Sequence, residues 1–122
     1  MQLLFSSSEE FGNTKGLNFI EGNVRKFKKN SKFFKIPHVG WNSLKKINHR
    51  FIPEKVLKEN YYFTHSFYCS PKDKEVIHTN TSYFGKSFCS SLVKKNIIGT
   101  QFHPEKSGKS GLEIIKKLKN IL

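Results

Sequence analysis

Cysteine and arginine each occur only twice in the 122 residues, and just nine side chains are acidic. Each scarcity excludes something. Cys69 and Cys89 stand 20 positions apart, without C-x-x-C spacing, so no disulfide scaffold or thiolate metal site is indicated. Free, partly buried thiols in a reducing cytoplasm are expected. No apolar stretch approaches the roughly 20 residues that span a bilayer. The opening Met1-Gln2-Leu3-Leu4-Phe5 has no basic n-region and no small-residue cleavage site, so a cytoplasmic chain is expected. Gly-rich phosphate loops, zinc spacings and internal repeats are also lacking, and neither cofactor nor metal is expected.

The shortage of acids leaves a net charge of +13. Residues Arg25 to Lys35 mix basic and aromatic side chains in the manner of nucleic-acid sites. Arginine, the better reader of phosphates and base edges, is nearly absent, however, and lysine is spread along the whole chain. A solvated, Lys-rich surface is the favoured reading, with a basic nucleic-acid-binding module kept as the alternative of another class. What the chain does have is core material. Twelve Phe and 14% aromatics suit one domain spanning 1–122, burying somewhat over ~60% of its unfolded surface.

The chain is organised around residues 96–107, Asn-Ile-Ile-Gly-Thr-Gln-Phe-His-Pro-Glu-Lys-Ser. Ile97, Ile98 and Phe102 predict a buried strand of the parallel-sheet kind. Pro104 stops it and holds His103 extended at its mouth. Positions i and i+2 of an extended segment share a face, which sets His103 beside Glu105. An imidazole can take a proton from a thiol or hydroxyl, and a carboxylate on its other nitrogen fixes the tautomer. By spacing alone, a surface His and Glu that merely pair is the favoured reading of the triplet.

Elsewhere, Met1–Phe5 reads as the inside of a helix leaving through Ser6–Glu10. Leu17, Phe19, Val24 and Phe27 suggest strands broken near Glu21-Gly22, and Phe33–Ile36 a short strand stopped by Pro37. His38, among apolar neighbours, reads as a satisfied structural histidine. Ile52–Asn60 is a loop or short helix, and Tyr61–Cys69 one strand with Tyr61, Phe63, His65, Phe67 and Cys69 on one face. Glu75–Tyr83 and Lys86–Val93 form a hairpin through Phe84-Gly85, with His78 on the surface. Neither cysteine has an elbow pattern to activate it. Ser110 and Glu113 make a capping box after a Ser107–Lys109 loop. Leu112, Ile115, Leu118 and Leu122 form the stripe that packs the last helix on the sheet.

Gln101–Glu105 with Lys106-Ser107 resembles the histidine/glutamate signature of class I, triad-type glutamine amidotransferases. Ile36-Pro37-His38-Val39-Gly40-Trp41-Asn42, Tyr62–Tyr68 and Gly16–Ile20 lie in matching order and spacing. Together they resemble the glutaminase subunits of imidazole glycerol phosphate synthases, from histidine biosynthesis, over nearly the whole chain. The resemblance implies an α/β, three-layer, flavodoxin-like amidotransferase domain, N-terminally truncated. It implies that His103 is general base and acid and Glu105 its orienter. Gln2 matches a residue that contacts bound glutamine, and Ser66 and Phe67 match positions whose backbone holds its amino-acid end. Trp41, Tyr62 and Lys106 match the contact with a (β/α)₈-barrel cyclase subunit that receives the ammonia. Met1–Leu4 matches the end of a G-x-C-L-G-M-Q-L-L run, which places the family's nucleophilic cysteine three residues before Met1. Either the gene starts upstream of a false start at Met1, or a short form exists that is inactive or assembles with a separate piece. Sheet neighbours of the 96–102 strand are expected in that missing half. A close paralogue that feeds ammonia to surface-polysaccharide sugar synthesis is the alternative within the same chemistry.

Overall fold

The structure is a computed structural model that describes residues 1–29, 31–47 and 57–119. Its strands are β1 (Phe5–Ser8), β2 (Thr14–Lys15), β3 (Ile20–Lys26), β4 (His38–Ser43), β5 (Lys45–Lys46), β6 (Asn60–His65), β7 (Phe67–Pro71), β8 (Ile77–Tyr83), β9 (Lys86–Lys94) and β10 (Ile97–Thr100), and the helix α1 covers Gly108–Lys119. The main sheet has the order β2-β1-β3-β7-β9-β8-β5, with β10 also paired to β9; β4 and β6 form a separate antiparallel ribbon. β1 and β3 run parallel, and the other pairings are antiparallel. This mixed α/β architecture is consistent with the flavodoxin-like class. Among the described residues no helix is long and apolar enough to cross a membrane.

Two apolar clusters hold the layers together. Phe27, Phe34, Tyr61, Phe63, Phe88, Phe102 and Ile114 bring the ribbon, the sheet and α1 to one core, and Phe5, Ile20, Val24, Cys69 and Leu92 fill the second. Each fully buried side chain of this size contributes roughly 1.5–3 kcal/mol of transfer free energy.

Several local expectations give way to tertiary context. Met1–Phe5 is not a helix interior: a single 3₁₀ turn at Gln2–Leu4 passes into extended Phe5. One turn is below the length at which helix formation becomes cooperative, and Phe5 is fully buried against the second core. β3 runs through Glu21-Gly22 without a break. Gly22 has φ 143°, and a Cβ there would lie 2.4 Å from the Ser70 carbonyl, so this glycine permits close strand approach. Leu17 and Phe19 lie outside any strand. Phe33–Ile36 is not a strand: a turn over Ser31–Phe34 is closed by Phe34 N–H donating to the Ser31 carbonyl, and Phe34 plugs the first core.

The Tyr61–Cys69 segment divides at Ser66 into β6 and β7, which belong to different sheets. Of the expected inward face, Tyr61, Phe63, His65 and Cys69 are buried, while Phe67, just past the division, is only half-buried. The β8–β9 hairpin turns at Phe84 (φ 46°) and Gly85 (φ 77°), as two positive φ values in a two-residue loop require. His78 is buried, not on the surface, because a register shift between Ile77 and Thr79 breaks the inside–outside alternation. β10 is antiparallel to β9, and Ile97 and Ile98 are only half-buried. A two-residue connection at Lys95-Asn96 rules out a parallel pairing of β10 with β9. α1 begins at Gly108, so Ser110 lies inside it and no Ser110–Glu113 capping box starts the helix. Its inward residues are Gly111 and Ile114, while Leu112 and Ile115 are exposed. The Leu118 side chain, Leu122 and most of the expected 52–60 segment lie outside the described residues.

Candidate functional site

Pro104 does what its fixed φ dictates. His103 is extended (φ −98°, ψ 95°), and Pro104–Lys106 then turn as one 3₁₀ segment. This turn, rather than a continued strand, carries Glu105 back to His103: Nδ1 and Glu105 Oε1 are 2.8 Å apart. A carboxylate only accepts, so Nδ1 bears the proton and Nε2 is left as the basic nitrogen. The hydrogen bond from His103 holds the Glu105 carboxyl below the usual carboxylate range. The loop is pinned from three sides. His103 N–H donates to the Tyr62 carbonyl at 2.9 Å, Ser107 Oγ donates to the His103 carbonyl at 2.6 Å, and Tyr62 N–H donates to Ser107 Oγ at 3.0 Å.

His103 and Glu105 edge a cleft of about 720 Å³ whose walls include Gln2, Ser66, Phe67 and Gln101. The residues singled out for substrate contact thus share one cavity with His103 and Glu105. Gln2 Nε2 donates to the Phe67 carbonyl at 3.1 Å, and the Ser66 carbonyl accepts from Phe27 N–H at 3.0 Å. The residues singled out for partner contact also converge. Trp41 pairs with Tyr62 across β4–β6, the rings meet edge-on at 5.9 Å, and Lys106 Nζ lies 5.9 Å from the Tyr62 ring. Trp41 is 58% exposed. This patch adjoins the cleft, with the Tyr62 and His103 rings 6.5 Å apart.

The two cysteines stand apart from this chemistry. They face each other across β7–β9, both free and buried, and neither lines the cleft. Burial pushes each thiol up to about 12, so neither supplies a thiolate near neutral pH. Among the described residues no group of three His, Cys, Asp or Glu side chains is placed to hold a metal ion.

Three participants escaped sequence reasoning. His65 lines the cleft and bonds His38, 27 residues away, through Nε2 and Nδ1 at 3.0 Å. Ser107, assigned to a loop, is the buried link of the His103 turn. Gln101 is buried at the cleft wall, and its Oε1 has no partner among the described residues. Cross-strand register brings these together, and a single sequence gives no signal of register.

A family model described as "Glutamine amidotransferase class-I" matches residues 1–120. Among curated relatives, the chain is 43% identical to "Imidazole glycerol phosphate synthase subunit HisH" of Chlorobaculum tepidum, over 95% of this chain and 57% of that protein. It is 46% identical to the HisH subunit of Methanocaldococcus jannaschii, over 100% of this chain and 60% of that protein. Against HisH 1 of Methanococcus maripaludis the identity is 44%, over 100% and 59%. The chain thus spans somewhat under two thirds of the length of these relatives. A match over residues 1–120, which takes in the His103–Glu105 turn, makes this chain a member of the class I glutamine amidotransferase family.

Proposed function

We propose that this chain carries the base-and-orienter half of a glutaminase, the amidotransferase subunit of an imidazole glycerol phosphate synthase acting in the cytoplasm in histidine biosynthesis. The observation that carries the reading is the 2.8 Å His103 Nδ1–Glu105 Oε1 pair at the edge of a cleft shared with Gln2, Ser66 and Phe67. The names of the relatives support the pathway.

In this reading glutamine enters the cleft and a cysteine thiolate attacks its side-chain amide carbonyl. His103 Nε2 takes the thiol proton and returns it to the departing ammonia. The glutamyl thioester is then hydrolysed by a water that His103 deprotonates, releasing glutamate. Glu105 holds the ring in the Nδ1–H tautomer and steadies the imidazolium. Cys69 and Cys89 are buried away from the cleft, so the attacking thiol is neither of them. The ammonia passes to a (β/α)₈-barrel cyclase subunit that docks over Trp41, Tyr62 and Lys106.

The test is glutamate release. The 122-residue chain alone is expected to show none above background. The same chain preceded by a segment bearing the elbow cysteine is expected to hydrolyse glutamine, and to lose that activity on His103→Asn substitution. Release by the 122-residue chain alone, or full activity in the His103→Asn protein, overturns the reading.

A further inference from the structure

We propose that His38 and His65 are positioning residues of this cleft: they orient the Phe67 carbonyl and, through it, the side chain of Gln2. The inference rests on the reading of the cleft as a glutamine site. His65 Nδ1 lies 2.7 Å from the Phe67 carbonyl oxygen. A carbonyl only accepts, so Nδ1 carries a proton. His65 is buried and walled by the Phe27, Phe63 and Phe88 rings, with His38 and, further off, His103 as its titratable neighbours. Such surroundings keep the ring neutral. A neutral imidazole has one N–H, so His65 Nε2 must accept and His38 Nδ1 must donate across their 3.0 Å contact. His38 is itself fixed between the rings of Tyr83, at 4.0 Å, and Phe63, at 4.9 Å.

One direction therefore runs through the whole chain of bonds: His38 donates to His65, and His65 donates to Phe67. The second lone pair of the Phe67 oxygen takes Gln2 Nε2–H at 3.1 Å. β6 ends at His65 and Phe67 opens β7, the chain changing sheet at Ser66 between them. Phe67 is paired with Lys26 of β3 on one edge of β7, while its carbonyl oxygen is bonded by His65 and Gln2, so the buried histidine pair constrains the carbonyl from the cleft side. Gln2 sits on the far side of the same oxygen, at the cleft wall.

Two variants separate positioning from mere packing. His65→Phe fills the space without a donor, whereas His65→Asn keeps an N–H near the Nδ1 position. In the 122-residue chain the readouts are the NMR order of the Gln2 side-chain amide and glutamine affinity by calorimetry. The expected result is a mobile Gln2 amide and about tenfold weaker glutamine binding in His65→Phe, with both restored to within about threefold by His65→Asn. An unchanged Gln2 amide in a folded His65→Phe protein overturns the inference. Failure of the unsubstituted chain to bind glutamine, with the Gln2 amide still released by His65→Phe, upholds the positioning role and removes the glutamine reading instead. If His65→Phe does not fold, the imidazole ¹⁵N spectrum of the unsubstituted chain decides: His65 protonated at Nδ1 upholds the inference, and at Nε2 overturns it.

Discussion

Tyr62 and His103 are joined twice through the backbone, directly by His103 N–H to the Tyr62 carbonyl and indirectly through the hydroxyl of Ser107. The second link closes a ring in which one buried Oγ accepts from β6 and donates to the carbonyl of the candidate base. The base is thus anchored to a strand of the ribbon, the same strand that presents Tyr62 to the exposed patch. A change in how Tyr62 is covered therefore has a short mechanical path to His103.

Ser107→Ala removes both hydroxyl bonds and leaves the Tyr62 N–H without its partner. Unfolding in urea is expected to show a loss on the order of 1–3 kcal/mol. A loss within about 0.3 kcal/mol of zero would show that water replaces the hydroxyl at no cost.

Glu105→Gln keeps an acceptor but removes the charge that steadies an imidazolium. In a protein supplied with the elbow cysteine, glutaminase kcat is expected to fall on the order of 10²-fold or more, with a smaller change in KM. Equal activity in this variant would make Glu105 a surface partner of His103 and nothing more.

What was legible in the sequence and what was not follows from the range of the interactions. The Phe84-Gly85 hairpin and the His103–Pro104 geometry are dictated by one or two residues, and both were readable. The closeness of His103 and Glu105 was readable too, although the turn that produces it is 3₁₀ and not extended. The inward face of α1 was not, because Gly111 and Ile114 were chosen by contact with Pro104 and the first core rather than by the helix's own stripe. His38 was readable as a satisfied histidine, but its partner His65 lies on another strand, and the β4–β6 register that pairs them appears only in the fold. The positions matching known proteins supplied what local chemistry could not.

The same histidine pair makes stability depend on pH. Burial lowers both His38 and His65 from 6.5 to about 4; His65 adds to the lowering of His38, whereas the hydrogen bond to the Phe67 carbonyl partly offsets the lowering of His65, to which His103 adds. Between those values the unfolded chain binds more protons than the folded one, so stability rises with pH there. The contribution is fully present above about pH 6.5 and is lost as pH falls toward 4. Each unit of displacement is worth about 1.4 kcal/mol, so the pair removes several kcal/mol over that window. Urea midpoints measured from pH 7.5 to 4.5 are expected to fall, and a flat profile would place both rings in solvent.

Thiol labelling offers a direct check on the two cysteines. With both buried and held near 12, iodoacetamide at pH 8 is expected to leave the native chain unmodified and to label both residues in denaturant. A glutamine-like affinity reagent is expected to modify neither. Native labelling of Cys69 or Cys89 by that reagent would reopen the search for the nucleophile within this chain.

Gly111→Ala sets two effects of opposite sign against each other. Alanine is the better helix former by about 1 kcal/mol, and on propensity alone the change should stabilise α1. A Cβ at this position, however, would stand 1.9 Å from the Pro104 carbonyl oxygen and 2.9 Å from the Ser107 Cβ, where neither neighbour is a flexible side-chain end. Forcing such a contact apart costs typically 1–3 kcal/mol, and the atoms that must move belong to the turn holding His103 and Glu105. The steric effect is expected to win: the variant should unfold at lower urea and disturb the His103 and Glu105 resonances together. Unchanged or raised stability would mean that α1 stands further from the His103 turn than this packing requires.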